Sequence, residues 1–205
     1  MTITAELEAV AAALTNNADE LTRLDSITGD GDLGTTAGKV AIAIREALES
    51  GENDTQALLI LCGKRIAGTA ASSCGTLIAT AFLSAAKAVG DTEGRSQLAA
   101  ALQAAVAGIQ KRGKAGPGDR TMIDALAPAA EAAAAGISSG TQDDYLQRIS
   151  DAARQGMLAT QSMTPKIGRA RSQPERALGN PDAGAVLVSI ALTAAFQAAS
   201  GVLEA

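Results

Sequence analysis

The chain contains no histidine, and this absence excludes several kinds of chemistry. A Ser/His/Asp triad, a histidine-ligated zinc site and a phosphohistidine carrier all need an imidazole. Basic residues are also few, because 17 Lys and Arg stand against 22 Asp and Glu, for a formal net charge of −5. A nucleic-acid-binding surface needs clustered positive charge. We therefore expect chemistry based on carboxylates, hydroxyls or a bound group, and no nucleic-acid partner.

Cysteines and long apolar runs are scarce as well. Cys62 and Cys74 are too few for a disulfide framework, and their spacing matches no zinc or redox motif. The first residues lack the basic region of a signal peptide, and no apolar run reaches the ~20 residues that span a bilayer. We expect a cytoplasmic protein that has no membrane partner.

Aromatic residues make up 1% of the chain, one Tyr and two Phe, so small aliphatic side chains have to build the core. Alanine is abundant and is the strongest helix former, and an all-β fold is disfavoured. Apolar residues recur at helical spacing through most of the sequence. We predict one all-α domain over residues 1–205, with helices at 4–16, 18–25, 35–50, 54–66, 75–89, 96–111, 121–135, 143–163 and 183–203.

Four of the breaks between these helices are richer in glycine than a simple connection requires. They cover residues 26–34, 68–74, 113–120 and 164–182. Glycine loses more conformational entropy on folding than other residues, and it permits close approach of the backbone to a ligand. We predict that these four loops share one binding site.

The first of these loops is the most informative. It places Asp25, Asp30 and Asp32 within eight residues, between the end of one helix and the start of the next. Three neighbouring carboxylates repel one another unless a cation neutralises them, and oxygen ligands favour a hard ion such as Mg²⁺. The following Gly34, Thr35 and Thr36 open a helix, whose free amides and positive dipole end favour an anion. The loop therefore indicates a metal ion next to a phosphate.

Other interpretations of the same loop fit less well. Gly29, Gly31 and Gly34 have dinucleotide-motif spacing, but no apolar strand precedes them. An EF-hand beginning at Asp30 lacks its later oxygen ligands, and the Gly-Lys-Ser/Thr ending of a Walker A motif is missing. A solvated turn, in which Asp30 and Asp32 only cap backbone amides, remains the open alternative.

Four ordered segments resemble the dihydroxyacetone kinase L family, the nucleotide-binding subunit or domain of those kinases. LTRLDSITGDGDLGTT at 21–36 is similar to the family signature L-x-x-L-D-x-x-I-G-D-G-D-H-G-T-[NT]. The other three segments are ASSCGTL at 71–77, GKAGPGDRTMIDALAP at 113–128 and PERALGNPDAGA at 174–185. One departure is Leu33, which stands where the signature has histidine.

The resemblance implies an antiparallel barrel of about eight helices, with ADP or ATP and two Mg²⁺ held in loops at one end. It implies that the metal ligands are Asp25, Asp30 and Asp32. The residues that it implies for nucleotide binding are Leu33, Gly34, Thr35, Thr36, Ser73, Cys74, Gly75, Thr76, Gly113, Met122, Arg176, Asp182, Ala183 and Gly184.

The last loop is cationic in an acidic chain, because it carries Lys166, Arg169, Arg171 and Arg176. Such a loop can stabilise charge on a transferred phosphoryl group, dock a partner or be solvated. The resemblance makes Arg176 the predicted catalytic residue. By periodicity alone, Met122 is a core residue, and only the family context places it near adenine.

The function implied by the resemblance is that of an L subunit, which works with a separate K-type subunit holding a small ketose. A chain of this length resembles members that keep ADP bound and receive a phosphoryl group from a phosphohistidine carrier, the M-type subunit. Two alternatives stay open at this point. One is the L part of an ATP-dependent triose or tetrose kinase, and the other is a non-catalytic nucleotide sensor.

Overall fold

The computed structural model describes residues 3–90 and 93–201 and is built from helices. It also contains two short 3-10 turns, Thr160–Ser162 and Arg169–Ser172. The ten α-helices in the described residues are α1 Thr4–Asn16, α2 Ala18–Thr28, α3 Leu33–Leu48, α4 Thr55–Thr69, α5 Ser73–Ala88, α6 Gly94–Gly113, α7 Ile123–Ala135, α8 Gln142–Ala159, α9 Pro174–Ala177 and α10 Ala183–Ala199.

The all-α prediction is confirmed, and each of the nine predicted helices is present. Their ends shift by up to four residues, and residues 202 and 203 of the last predicted helix lie outside the described residues. The predicted loop at 164–182 contains α9 and a 3-10 turn, which are too short to give a periodic pattern. The single-domain assignment stays a prediction.

Eight of the helices pack side by side in a closed ring. The order around the ring is α1, α3, α4, α5, α6, α7, α8 and α10, and α10 closes it by packing against α1. Short connections between consecutive helices give neighbours that run antiparallel. The second helix stands outside this order and packs against α3, α9 and α10. The ring agrees with the predicted eight-helix barrel.

Two large apolar clusters form the core, and α10 contributes to both. Its Leu187 packs with α1 to α5, whereas its Val188 and Phe196 pack with α6, α7 and α8. Tyr145 of α8 is fully buried, and its hydroxyl donates a hydrogen bond to the Arg95 carbonyl at 3.2 Å. Most other core positions are Ala, Leu or Ile, as the scarcity of aromatic residues predicts.

Side-chain caps explain where several helices begin. Asp54 accepts a hydrogen bond from the Ala57 amide at the start of α4, and Thr141 and Asp144 form a capping box at the start of α8. Among the described residues, no helix has both the length and the apolar character that crossing a membrane requires.

Gly34 and Gly38 lie on the same helix and differ in the space around them. A Cβ at Gly34 would overlap the Ala18 carbonyl and the Thr22 hydroxyl of α2, whereas a Cβ at Gly38 would meet nothing within 4 Å. We predict that Gly34→Ala lowers the free energy of unfolding by about 1–3 kcal/mol, because the added methyl group would overpack the contact between α2 and α3. The matched control, Gly38→Ala, should raise it by about 0.5–1 kcal/mol. Urea denaturation of both variants without nucleotide tests this, and equal effects would contradict the assigned α2–α3 contact.

Candidate nucleotide and metal site

A cavity of about 290 Å³ lies at one end of the ring. Its wall is formed where α2 ends and where α3, α5, α7 and α10 begin, together with residues 167–170. The four glycine-rich breaks therefore line one cavity, and the binding of a ligand there stays a prediction.

Four helix N-termini meet at this cavity. The wall includes Leu33 of α3, Ser73 of α5, Met122 at the start of α7 and Ala183 of α10. Each N-terminus carries partial positive charge on amides that lack an intrahelical partner. An anion with several oxygens, such as a di- or triphosphate, suits this arrangement.

The three carboxylates predicted to bind metal come together beside these N-termini. Asp25, Asp30 and Asp32 each offer a carboxylate oxygen, and these oxygens lie within 4.8 Å of one another. Oδ2 of Asp25 is buried and has no hydrogen-bond partner. Asp32 is the N-cap residue of α3, but its side chain accepts no capping hydrogen bond. The residues present therefore fit a divalent cation better than the alternative of a turn that only caps amides.

One cationic side chain already contacts this cluster. The Arg169 guanidinium forms an ion pair with Oδ1 of Asp30. Both side chains are largely solvent-exposed, at 62% for Arg169 and 47% for Asp30. Ion pairs of this kind contribute little to stability, because water screens them.

Apolar and neutral groups complete the wall, with side chains from Leu77, Ile109, Ala115 and Met122. Cys74 also lines the cavity, and burial, helped by the negative charges of Asp182, Asp25 and Asp32, raises the pKa of its thiol to about 12. The thiol is therefore neutral near pH 7, and the apolar side chains of Leu77, Ile109 and Met122 suit an uncharged ring.

Arg120 lies at the back of the cavity wall, and its side chain is 2% exposed. The guanidinium donates hydrogen bonds to the carbonyls of Thr160 at 3.2 Å, Ala177 at 3.0 Å and Asn180 at 2.9 Å. It also lies 3.9 Å from Oδ2 of Asp182. Burial lowers the pKa of Arg120, and the charge of Asp182 opposes this shift. Arg120 precedes α7, and its hydrogen bonds link this part of the chain to residue 160 and to residues 177 and 180, which lie on either side of the segment 163–176.

Most of the predicted site residues line this cavity. These are Asp25, Asp30, Asp32, Leu33, Ser73, Cys74, Gly113, Met122, Asp182, Ala183 and Gly184. Met122 is both a wall residue and part of the second core cluster, so its two interpretations are compatible.

Six predicted residues lie outside the described wall, namely Gly34, Thr35, Thr36, Gly75, Thr76 and Arg176. Gly34 and Gly75 permit close packing, against Ala18 and Ala70 respectively. The Thr36 hydroxyl lies 3.0 Å from the Ser72 hydroxyl, which links the starts of α3 and α5. Arg176 is exposed on α9, and its guanidinium donates to Gln173.

Sequence reasoning did not single out several wall residues. The apolar ones, Leu77, Ile109 and Ala115, look like ordinary core or loop residues in the sequence. Arg120 and Thr121 precede Met122 in the family-like segment at 113–128, and this position was the sequence signal that could have indicated them as wall residues. Arg169 was recognised as part of a cationic loop, but its partner Asp30 lies 139 positions earlier in the chain.

The helical ring with a cavity and three clustered carboxylates at one end defines a class of all-α domain, and comparison with known proteins identifies the family. The model of the DAK2 domain matches residues 27–197. The chain belongs to this family.

Individual relatives agree with that assignment. A D-erythrulose kinase of Mycolicibacterium smegmatis is 36% identical, covering 89% of this chain and 33% of the relative. The ADP-binding subunit of a PEP-dependent dihydroxyacetone kinase from Listeria innocua is 30% identical, and the match covers 88% of this chain and 87% of that subunit. The chain thus spans about a third of the erythrulose kinase but most of the Listeria subunit.

A solved structure of similar fold is the dihydroxyacetone kinase of C. freundii, with a TM-score of 0.77 and 30% identity. The match covers 94% of this chain and 33% of that kinase. Another structure of the same kinase is described as a complex with AMP-PNP and Mg²⁺. The named relatives are kinases.

Asp182 gives the site a predicted pH dependence. Its Oδ1 caps α10 by accepting from the Ala185 amide at 2.9 Å, while burial raises its pKa to about 6. Between about pH 4 and 6 the folded protein keeps a proton on Asp182 that the unfolded chain releases, so the contribution of Asp182 to the stability of the wild type falls as the pH rises. Asp182→Asn keeps the capping oxygen but does not titrate. We predict that its stability relative to wild type increases by on the order of 2 kcal/mol from pH 4 to 7.

The measurement is urea denaturation of both proteins in EDTA at several pH values. Titrating groups that the two proteins share cancel in the difference. If the stability of Asp182→Asn minus that of wild type stays constant, or falls as the pH rises, then burial does not raise the pKa of the Asp182 carboxyl group.

Proposed function

We propose that this chain binds ADP or ATP together with Mg²⁺ as the L-type part of a kinase that phosphorylates a small ketose. The observation that carries the proposal is the meeting of four helix N-termini and three carboxylates at one cavity. Family membership supports it, as does the solved relative described with AMP-PNP and Mg²⁺.

In this proposal Asp25, Asp30 and Asp32 hold the metal, as two Mg²⁺ ions. Bound Mg²⁺ would neutralise phosphate charge and so favour phosphoryl transfer. The amides at the starts of α3, α5 and α10 bind phosphate oxygens, with Thr35, Thr36 and Thr76 in the first turns. Leu77, Ile109 and Met122 supply an apolar surface for the base.

The predicted catalytic role of Arg176 remains part of the proposal, with a condition that follows from its position. The side chain is exposed on α9 and outside the cavity wall, so it reaches a phosphoryl group only if α9 or a docked partner carries it there. Arg120 does not serve instead, because three carbonyls and Asp182 occupy its guanidinium.

The ketose is placed on a separate K-type subunit or domain. This chain has no histidine, whereas the family resemblance assigns covalent holding of the ketose to a histidine of the K part. In the first form of the proposal, bound ADP relays a phosphoryl group from an M-type phosphohistidine carrier, as the Listeria relative suggests. In the second form ATP is the direct donor, and the identity to the erythrulose kinase favours it. Either form implies a cytoplasmic location.

Asp25→Asn tests the metal assignment, because the amide keeps the size of the side chain and removes its charge. We expect the affinity for ADP in Mg²⁺ to fall at least as much as the roughly 10- to 100-fold seen for mutations around metal ligands. The affinity measured in EDTA should change little. Isothermal titration calorimetry of both proteins, with and without Mg²⁺, measures this.

The matched control is Asp19→Asn, which removes an exposed carboxylate from the first turn of the same helix. Its ADP affinity should equal that of wild type. Equal Mg²⁺-dependent affinity for Asp25→Asn and wild type would refute the metal assignment. Measuring the rate at which bound ADP is released in an excess of ATP separates the two forms, since a resident ADP coenzyme predicts much slower ADP release than a kinase that exchanges ATP for ADP.

A further inference from the structure

The ion pair between Arg169 and Asp30 has a consequence for metal binding. Asp30 is one of the three proposed metal ligands, and its Oδ1 is the atom that faces the Arg169 guanidinium. A guanidinium and a metal ion both neutralise a carboxylate, but they cannot occupy the same position against one oxygen. The two cations therefore compete for Asp30.

Arg169 belongs to a segment that is closed at its base. We call residues 163–173 the strap, because they run from the 3-10 turn at Thr160–Ser162 to the start of α9. At the base the Gly179 amide donates to the Gln161 carbonyl at 2.9 Å, and the Asp182 amide donates to the Thr160 hydroxyl at 2.8 Å. The buried Arg120 guanidinium bonds to carbonyls on both sides. The two ends of the strap are thus fixed to each other.

The body of the strap is held much more weakly. Among the described residues, and apart from hydrogen bonds of Met163 and Gln173 to the flanking Thr160 and Arg176, the strap is bonded to the rest of the protein through two residues, Lys166 and Arg169. The backbone amide of Lys166 donates a hydrogen bond to the Asp119 carbonyl at 3.2 Å. The Lys166 ammonium also forms an ion pair with the Asp119 carboxylate at 3.4 Å. The Lys166 and Arg169 side chains are each 62% exposed, so water screens both ion pairs.

The backbone directs Arg169 toward the cavity. Gly168 has φ 71° and ψ −165°, a conformation that only glycine adopts readily. Ile167, Gly168, Arg169 and Ala170 all line the cavity. A weakly held strap between fixed ends therefore covers part of the cavity wall, and it ties itself to a proposed metal ligand.

We propose that Arg169 is an internal counter-ion for Asp30 in the metal-free protein, and that a divalent cation displaces its guanidinium and loosens the strap from the cavity. The inference rests on the metal site of the proposed function. Arg169 acts here as a positioning residue, since it contacts a ligand of the metal rather than the reacting atoms. The displacement breaks no covalent bond and needs no further reactant.

The first test measures binding of Mn²⁺ alone, used as a paramagnetic substitute for Mg²⁺, by the electron paramagnetic resonance signal of the free ion. Arg169→Gln removes the competitor, and we expect its affinity for Mn²⁺ to rise about two- to fivefold, as the weakness of an exposed ion pair implies. The control is Arg171→Gln, which removes the same charge from an exposed strap residue that does not line the cavity. Its affinity should stay close to that of wild type.

The second test measures trypsin cleavage after Lys166, Arg169 and Arg171, followed by mass spectrometry. In wild type, Mn²⁺ should accelerate cleavage of the strap several-fold. In Arg169→Gln, cleavage after Lys166 and Arg171 should be fast without the metal and should not respond to it. Asp30→Asn removes the partner instead of the arginine, and it should also give fast cleavage without metal.

The outcomes separate this inference from the proposed function. If wild type and both arginine variants bind no Mn²⁺, the metal site and the competition both fail. If Mn²⁺ binds but Arg169→Gln and Arg171→Gln have equal affinities, the competition fails while the metal site stands. Cleavage that is slow in metal-free Asp30→Asn would also overturn the inference, because the strap would then be held by something other than Asp30.

Discussion

The mutual repulsion of three carboxylates is the constraint around which this site is organised. Asp25, Asp30 and Asp32 come within 4.8 Å because α2 ends and α3 begins across a turn of four residues. Negative charges at such distances repel one another unless positive charge is supplied. The protein supplies some of it through the Arg169 ion pair and the helix N-termini, but it leaves Oδ2 of Asp25 buried without a partner. In the proposed function, a bound divalent cation would supply the remaining positive charge.

Arg120 and Arg169 have different roles near these carboxylates. Arg120 is buried and bonded to three carbonyls, so it maintains the shape of the wall and the base of the strap. Arg169 is exposed and paired with a carboxylate, so it is exchangeable. In the proposed function, positive charge for the phosphates would come from backbone amides and metal, which suits phosphoryl transfer because that reaction mainly needs positioning and charge neutralisation. A chain without histidine is adequate for such a part of a kinase.

Local patterns in the sequence were enough to predict the helices and the carboxylate cluster. The helices were predictable because apolar residues recur at helical spacing, and the carboxylate cluster was predictable because the three aspartates lie close along the chain. Features that depend on packing were not predictable in this way. Nothing in the sequence indicated that a Cβ at Gly34 would overlap Ala18 and Thr22 of α2, and the predicted approach of this residue to a ligand stays a prediction. Arg169 and Arg176 are alike in the sequence, and only the path of the strap brings Arg169 to Asp30.

The central claim is that metal and nucleotide share the cavity at the carboxylate cluster. Crystals grown with ADP and Mn²⁺, measured at an X-ray energy where manganese scatters anomalously, test it most directly. The account predicts an anomalous peak bonded to carboxylate oxygens of Asp25, Asp30 and Asp32, with the nucleotide in the same cavity. Nucleotide bound elsewhere, or in this cavity with no metal at these aspartates, would contradict it.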